Sequence, residues 1–406
     1  RTFNYDIYFQ RLDLAGNAVL ESGGVNVVNS SGDDYVQALL PAPDGDYLLF
    51  WIEEIWPASR LKYKKVDASG STTIGWPSSG YSLSDQSAEA GNLVVKQISD
   101  TDGVLAVWNQ DGNFSDIYAQ KIDWDGTAQW SAGGVPVSAA DNDQSGIDLD
   151  IDVGGETAFI AWEDYRNGTD FNILGKPVDL VNGSVPVEAV HFTADTTGQQ
   201  NPVVTAVAPG EFLVLWEDGR GYYNSNPLLI NGVDLYGSGY IIGDGLTTEL
   251  DGVPICIEYH DQKQAQVAHY EGGNYFLHWI DLRSSGKEDL INYYARLLTK
   301  ATVLASDKEV DIFPDEFFLN SVYPNPFNGK VNFEFVMPAG RPVEFRIYDI
   351  TGRVVSDQII LPSQEAMHRI SWNGKDMFGQ IYPSGIYLYK FSSNDNIYKG
   401  KISYIK

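Results

Sequence analysis

Apolar residues along this chain fall in short runs, and several of these runs close on a tryptophan. "YLLFW" ends at Trp51, "VLAVW" at Trp108, "TAFIAW" at Trp162, "FLVLW" at Trp216 and "YFLHW" at Trp279. Successive tryptophans lie 54 to 63 residues apart. A second run follows each one: "LKYKKVD" around Tyr63, "DIYAQKID" around Tyr118, "NILGKPVD" around Leu174, "DLYGSGY" around Tyr236 and "NYYARLL" around Tyr294. A further copy, "DIYFQRLD" around Tyr8, has no tryptophan run ahead of it. A Gly-rich turn leading into a short apolar run is the third landmark, as in "GGVNVV" and "GGVPVSA".

Runs this short, rich in β-branched and aromatic residues and bounded by turn formers, predict β-strands. No segment holds a helical period. Three to four strands per unit predict a small sheet that cannot bury both faces alone, and stacking such sheets around an axis solves the problem. The predicted architecture is therefore all-β, beginning with a β-propeller over residues 1–305. It should have about six blades, within a range of about five to seven, each contributing one tryptophan to the packing between sheets.

The tryptophan runs of three units share a corner: Asp164 and Arg166, Asp218 and Arg220, Asp281 and Arg283. An Asp at a strand end accepts backbone N–H bonds, and an Arg two residues on reaches a carboxylate or a carbonyl. Recurrence at equivalent positions favours a structural clasp over an arginine ring for an anionic ligand. The first two units, "WIEEIW" and "WNQDGN", lack the arginine.

After about residue 305 the repeat fades. An acidic linker is expected at 306–317, then a separate domain at 318–406. Alternation through "VNFEFVM", "VEFRIYD", "HRISW", "GIYLYKF" and "YKGKISYI" predicts about seven short strands, an Ig-like antiparallel β-sandwich. The prolines of "PNPFN" withhold backbone donors and impose an extended lead-in. "DITGR" and "PSGIY" supply turns.

Composition narrows the function classes. The 406 residues include 27 Lys and Arg against 55 Asp and Glu, a net charge of −28. That balance excludes a phosphate-binding, nucleic-acid-reading surface and disfavours anionic headgroups. Cys256 is the only cysteine, so no intrachain disulfide forms. No apolar run is long enough to span a bilayer. The chain opens on "RTFNYDIYFQ", so a processed or truncated start is expected, with further strands upstream of Arg1.

Two resemblances add to this. The pattern "W-x-D-x-R-x-G … DIYAQ-x-x-D-x-x-G" resembles tandem β-propeller repeats of secreted bacterial proteins, which implies architecture and not activity. The C-terminal domain resembles the C-terminal sorting domain of type IX secretion substrates, or the similar FlgD-type Ig-like module. The residues that carry this are Tyr323, Pro324, Asn325, Pro326, Phe327 and Asn328, then Gly352 in "IYDITGRVV", Trp372 and Gly385 in "WNGKDMFGQIYPSGIYLYKF", and the terminal "KGKISYIK". The resemblance implies export across a Gram-negative outer membrane by the secretion machinery, followed by release or surface attachment.

Candidate chemistry is sparse. Asp141, Asp143, Ser145 and Asp152 in "DNDQSGIDLDID" stand at calcium-loop spacing, so Ca²⁺ is the one cofactor to test. The flanking helices of such a loop are missing and "IDLDID" alternates like a strand. "DWDGTAQW" reads as a β-turn. The histidines at 191, 260, 269, 278 and 368 have no metal-ligand spacing. No nucleophile elbow, P-loop or dinucleotide fingerprint occurs. The readings that remain are a non-enzymatic secreted propeller that binds a glycan or protein, a self-associating subunit of an extracellular filament or layer, and a propeller-type carbohydrate hydrolase. Trp56, Tyr222 and Tyr223 are candidate sugar-stacking residues.

Overall fold

The computed structural model describes residues 4–56, 58–85, 88–220, 232–257, 260–270, 274–282, 292–299, 318–336, 343–360, 367–375, 380–393 and 396–406. Arg283, Tyr222, Tyr223 and the 306–317 linker lie outside them. The described residues are all-β and contain no α-helix. The chain divides into two compact units, Arg1–Asp307 and Lys308–Lys406.

The first unit is a propeller-like array of six described sheets. The first sheet holds β1 (Ile7–Phe9) and β2 (Val25–Val28). The second runs β3 (Asp33–Pro41), β4 (Tyr47–Ile55), β5 (Ala58–Val66), β6 (Tyr81–Ser82). The third runs β7 (Ala90–Ser99), β8 (Gly103–Asp111), β9 (Ser115–Ile122), β10 (Val135–Ser138). The fourth runs β11 (Gln144–Ile151), β12 (Thr157–Asp164), β13 (Asn172–Asp179), β14 (Val190–His191). The fifth runs β15 (Gln199–Ala208), β16 (Glu211–Asp218), β17 (Asp234–Ile241), β18 (Gly245–Leu246), with β19 (Val253–Cys256) also on β17. The sixth holds β20 (Gln262–Tyr270), β21 (Asn274–Asp281) and β22 (Asn292–Thr299). Every one of these pairings is antiparallel, and all but that of β19 with β17 join strands consecutive in the chain, as short hairpin turns require.

Each tryptophan strand is the second of its sheet, and β4, β8, β12 and β16 are buried on both faces, while β21 leaves Phe276 exposed on one. In β8, Val104, Ala106 and Trp108 pack towards the second sheet, while Leu105 and Val107 pack towards the fourth. That double burial explains why "VLAVW" is continuously apolar and does not alternate. Trp51, Trp108, Trp162, Trp216 and Trp279 each face the preceding sheet. Trp108 and Trp162 are fully buried.

Register corrects one alignment made from sequence. Trp108, Trp216 and Trp279 stand opposite Tyr118, Tyr236 and Tyr294, but Trp51 stands opposite Lys62, not Tyr63. Tyr63 lies on the other face of β5, stacks on Phe50, and donates its hydroxyl to Gly126 O in the next sheet at 3.0 Å. A one-residue offset reverses the face of a strand.

The second unit has two sheets. One runs β23 (Phe318–Tyr323), β24 (Val331–Val336), β27 (Met367–Trp372). The other runs β26 (Val354–Ile360), β25 (Val343–Tyr348), β28 (Gly385–Ser393), β29 (Asn396–Tyr404). Phe333 and Phe335 from the first meet Phe345, Ile347 and Phe391 from the second in one aromatic core.

Candidate functional sites

The tryptophan-acid-arginine corner is explained residue by residue. Trp162 donates its indole N–H to Asp164 at 2.8 Å, Trp216 to Asp218 at 2.9 Å, and Trp279 to Asp281 at 3.0 Å. Asp164 and Asp218 are fully buried and each receives a two-pronged arginine. Arg166 donates from Nε and Nη2 at 2.7 Å each, and Arg220 from the same atoms at 2.7 and 2.6 Å. Each arginine also gives its backbone N–H to the same carboxylate. The charge-assisted bonds to Asp164 raise the Arg166 pKa. A guanidinium held this way commits its Nε and Nη2 edge to its own strand.

The intervening glutamate acts on the other side. Glu163 accepts the backbone N–H of Asn201 at 2.8 Å, and Glu217 that of Gln264 at 2.8 Å. Both donors have positive φ, at bulges in the first strand of the following sheet. The residues of "W-E-D" thus pack backwards, staple forwards and close the corner, in that order. Burial is the main cause of the raised Glu217 pKa.

The second and third sheets use other chemistry. Glu53 pairs with Lys62 at 3.4 Å. Asn109 donates to Gln144 O at 2.6 Å and so staples the third sheet to the fourth. The indole nitrogens of Trp51 and Trp108 are buried without an acceptor. Around the two full clasps the surroundings differ as well. Arg220 lies 4.0 Å over the ring of Tyr236 and bonds Asp251 O at 2.9 Å. In the fourth sheet Leu174 occupies the Tyr236 position, and a cavity of about 220 Å³ opens beside Arg166, Leu174 and His191.

The calcium reading from sequence is corrected. Ser145 and Asp152 sit near opposite ends of the extended strand β11, about 23 Å apart at strand rise. Asp152 instead accepts backbone N–H groups of Glu156, Thr157 and Gly210. Asp143 accepts the N–H of Ser115, and Asp141 lies in the loop ahead of the strand. Among the described residues no group of three or more His, Cys, Asp or Glu is arranged to hold a metal ion. The alternation in "IDLDID" has a different use. Asp148 accepts from Val204 N at 2.8 Å and Asp150 from Ala206 N at 2.9 Å, so one face of β11 zips onto β15.

Aromatic side chains stand at the turns between the second and third strands. Trp56 is 94% exposed there in the second sheet and Phe114 is 39% exposed in the third. In the fourth, Tyr165 and Phe171 flank the same turn with ring centroids 5.0 Å apart.

In the second unit the proline motif is a lock on the last strand. Asn325 accepts Ser403 N at 2.9 Å and donates to Lys401 O at 3.1 Å. Phe327 pairs with the backbone of β29 through Ser403 O at 2.9 Å and Ile405 N at 2.8 Å. Its ring is buried against Tyr404 and Trp372. Tyr323 lies beside Glu334 and Arg369, and Pro324, Pro326 and Asn328 shape the same exposed corner. Gly352 has φ 83° in the turn closed by Asp349, and Gly385 opens β28. On the outer face of β28 and β29, Leu388, Ile397 and Tyr348 line a groove of about 550 Å³ rimmed by Lys390, Lys399 and Lys401.

Residues 321–405 match the family described as the secretion system C-terminal sorting domain. No curated protein matches the chain. Among solved structures, PorZ of Porphyromonas gingivalis, described as an essential bacterial surface component of the type-IX secretion system, is 14% identical with a TM-score of 0.34. The alignment covers 96% of this chain and 48% of that one, so this chain spans about half its length. The Penicillium chrysogenum α-L-arabinanase is 12% identical, with 75% and 88% covered and a TM-score of 0.35. The Bacteroides thetaiotaomicron endo-arabinase is 11% identical, with 66% and 93% covered and a TM-score of 0.33. Likeness at these values transfers no activity. The sorting domain marks the protein for secretion, to the outer surface or the extracellular space of a Gram-negative bacterium.

Proposed function

We propose that this is a non-enzymatic binding protein of the cell exterior. Its array of sheets presents the aromatic turns at the clasp end to a glycan or a protein partner, and its C-terminal sandwich engages the secretion machinery. The observation that carries the reading is Trp56: an indole left 94% exposed on a turn, in a chain whose strand-ending tryptophans are buried. An exposed indole presents a flat apolar face with a polar edge, which suits sugar rings and aromatic anchors alike. The carboxylates on β11 and at Glu163 and Glu217 support the same reading, because they are engaged by backbone donors. A hydrolase needs two acids that face a substrate.

A glycan array probed with the secreted protein tests this, alongside pull-down from the producing cell's own surface. Binding that is lost in Trp56→Ala at unchanged melting temperature is the expected result. Turnover of arabinan or another polysaccharide by the wild-type chain would replace this reading with the hydrolase one.

A further inference from the structure

The fourth sheet leaves open a place that its sisters fill. Opposite the strand-ending tryptophan, the third, fifth and sixth sheets carry Tyr118, Tyr236 and Tyr294, and the fourth carries Leu174. Tyr236 lies under Arg220, whose Nη2 also reaches Asp251 O, so that corner is covered. Beside Arg166 the smaller leucine leaves the cavity of about 220 Å³, with Asn172, His191 and Thr193 also in its wall. Pockets that enclose drug-sized ligands run to about 300–1,000 Å³, so this one has room for a single small unit.

The polar groups facing it are not all engaged. The clasp uses Nε and Nη2 of Arg166, whereas Nη1 makes no hydrogen bond with the described residues, and the side chain is 35% exposed. Asn172 accepts from Thr193 Oγ1 at 3.5 Å and has its amide N–H groups to spare.

Lys176 is a second, independent observation. It follows Leu174 by two residues on β13, so it shares the face that Asn172 and Leu174 present. It is only 9% exposed. The residues at its register in three other sheets all find partners. Gln120 bridges Trp130 N and Ser131 O, Lys64 donates to Ser78 O at 3.2 Å, and Ser238 meets Thr248 Oγ1 at 2.7 Å. Lys176 makes no hydrogen bond or ion pair with the described residues. Burial first, and then the charge of Arg166, lower its pKa. The acids near both cations are Asp164, already committed to the clasp, and Glu188, which is exposed. A buried ammonium without a counter-ion is unfavourable, and an anion seated beside it offsets that penalty.

We propose that this cavity is a binding site for a carboxylate-bearing sugar unit, a uronate, whose carboxylate takes the free Nη1 of Arg166 with Lys176 close behind. A flat carboxylate suits a guanidinium. A sugar ring suits the rest of the wall: Asn172 and His191 offer hydrogen bonds to hydroxyls, and the Tyr165–Phe171 pair flanks the turn that carries Arg166. This deepens the glycan arm of the proposed function and rests on it.

Ligand-observed NMR on the full chain tests it, with glucuronate and galacturonate set against glucose, galactose and acetate. Uronate should bind with an affinity on the order of 1 mM, as a single sugar unit gives. It should bind at least about tenfold more tightly than the neutral sugars or acetate. Two substitutions remove the site with residues that already occupy those registers in folded sister sheets. Leu174→Tyr fills the cavity as Tyr236 does and should abolish uronate binding. Lys176→Gln, matching Gln120, should weaken it about tenfold, both at unchanged melting temperature. Equal binding of uronate and neutral sugars, acetate binding as tightly as uronate, or uronate binding that survives either substitution overturns the site. Should Leu174→Tyr unfold the chain, Lys176→Gln decides alone. Trp56→Ala keeps this proposal apart from the reading it rests on, because it should leave uronate binding unchanged. A chain that keeps its Trp56-dependent signal on the glycan array and ignores uronate loses this site and nothing else.

Discussion

The third and fifth sheets solve the same packing problem with different chemistry. In the fifth, Trp216 gives its indole proton to a buried Asp218, which is in turn forked by Arg220. In the third, Trp108 is equally buried and its indole nitrogen has no acceptor, because Gln110 turns away to bond Asp85 N at 2.9 Å. Both strands carry a continuous apolar run up to the tryptophan and both sheets form. The clasp is therefore an addition to the fold and not a condition of it. Its contribution should be readable as a difference between the two sheets.

Asp218→Ala should be the most damaging change. It leaves Arg220 partly buried without its carboxylate and Trp216 without its acceptor. Removing one member of a buried, hydrogen-bonded pair costs about 3 kcal/mol. Chemical denaturation of the array should show that loss, and Asp218→Asn, which keeps an oxygen for the indole, should recover part of it. A full loss with Asn as well would assign the whole effect to the ion pair.

The next effect is a contrast between two like substitutions. Trp216→Phe and Trp108→Phe remove the same volume from matching sites, at a core cost of about 1–3 kcal/mol. The first also breaks a hydrogen bond to a buried carboxylate, while the second removes an unsatisfied donor. Trp216→Phe should exceed Trp108→Phe by about 1–2 kcal/mol in denaturant titrations. Equal losses would mean that the indole–Asp bond adds nothing beyond packing.

The joints between sheets should show up in the pH profile. Burial raises the pKa of Asp148 and of Glu217 above their ordinary values of 3.8 and 4.5. The folded state then holds these protons more tightly than the unfolded chain does. The penalty of ionising them is present at neutral pH and is relieved as pH falls through the folded-state values, so this pair makes stability rise on mild acidification. The turn aspartates act with the opposite sign. Hydrogen bonding from Ser69 lowers the pKa of Asp67, so its contribution is lost only as pH falls below 3.8. Asp148→Asn with Glu217→Gln should flatten the rise that lies above the ordinary carboxylate range without touching the acid limb. A profile that keeps its slope in the double variant would refute the assignment.

How much of this was legible in the sequence follows from what each residue faces. The tryptophan strands of the second to fifth sheets were readable because burial on both faces leaves an unbroken apolar run. The PNPF motif was recognisable as family, but its role in clamping β29 was not, because Asn325 and Ser403 are 78 residues apart. The alternation of "IDLDID" was legible as a strand, but what its carboxylates do there was not, and only Asp152 of them was set, with Asp141, Asp143 and Ser145, in a calcium-loop reading. The period of two puts Asp148 and Asp150 on one face of a strand, which was the available signal for a zipper onto the next sheet. Tyr63 was misplaced for the reverse reason: a tyrosine one residue out of register looks like its repeat partners in the sequence and lies on the opposite face in the fold. The glutamate of "W-E-D" could not be assigned at all, since its donor is a backbone N–H on a bulge that only the neighbouring sheet provides.

The smallest expected effect on stability carries the most information about function. Trp56 stands outside the repeating series of tryptophans, and unlike Trp51, five residues earlier, it is left to solvent: Trp51 is 1% exposed and Trp56 94%. Replacing Trp56 by alanine should move the unfolding free energy by less than about 0.5 kcal/mol, the range of surface changes away from special contacts. Isothermal titration with whichever glycan or protein the array identifies should then show at least about a tenfold loss in affinity for Trp56→Ala, the size expected of an aromatic anchor. Unchanged affinity would move the recognition face away from the clasp end of the sheets. A large drop in stability instead would show that Trp56 is a packing residue of a partnered surface, which would bring it back into line with the buried tryptophans.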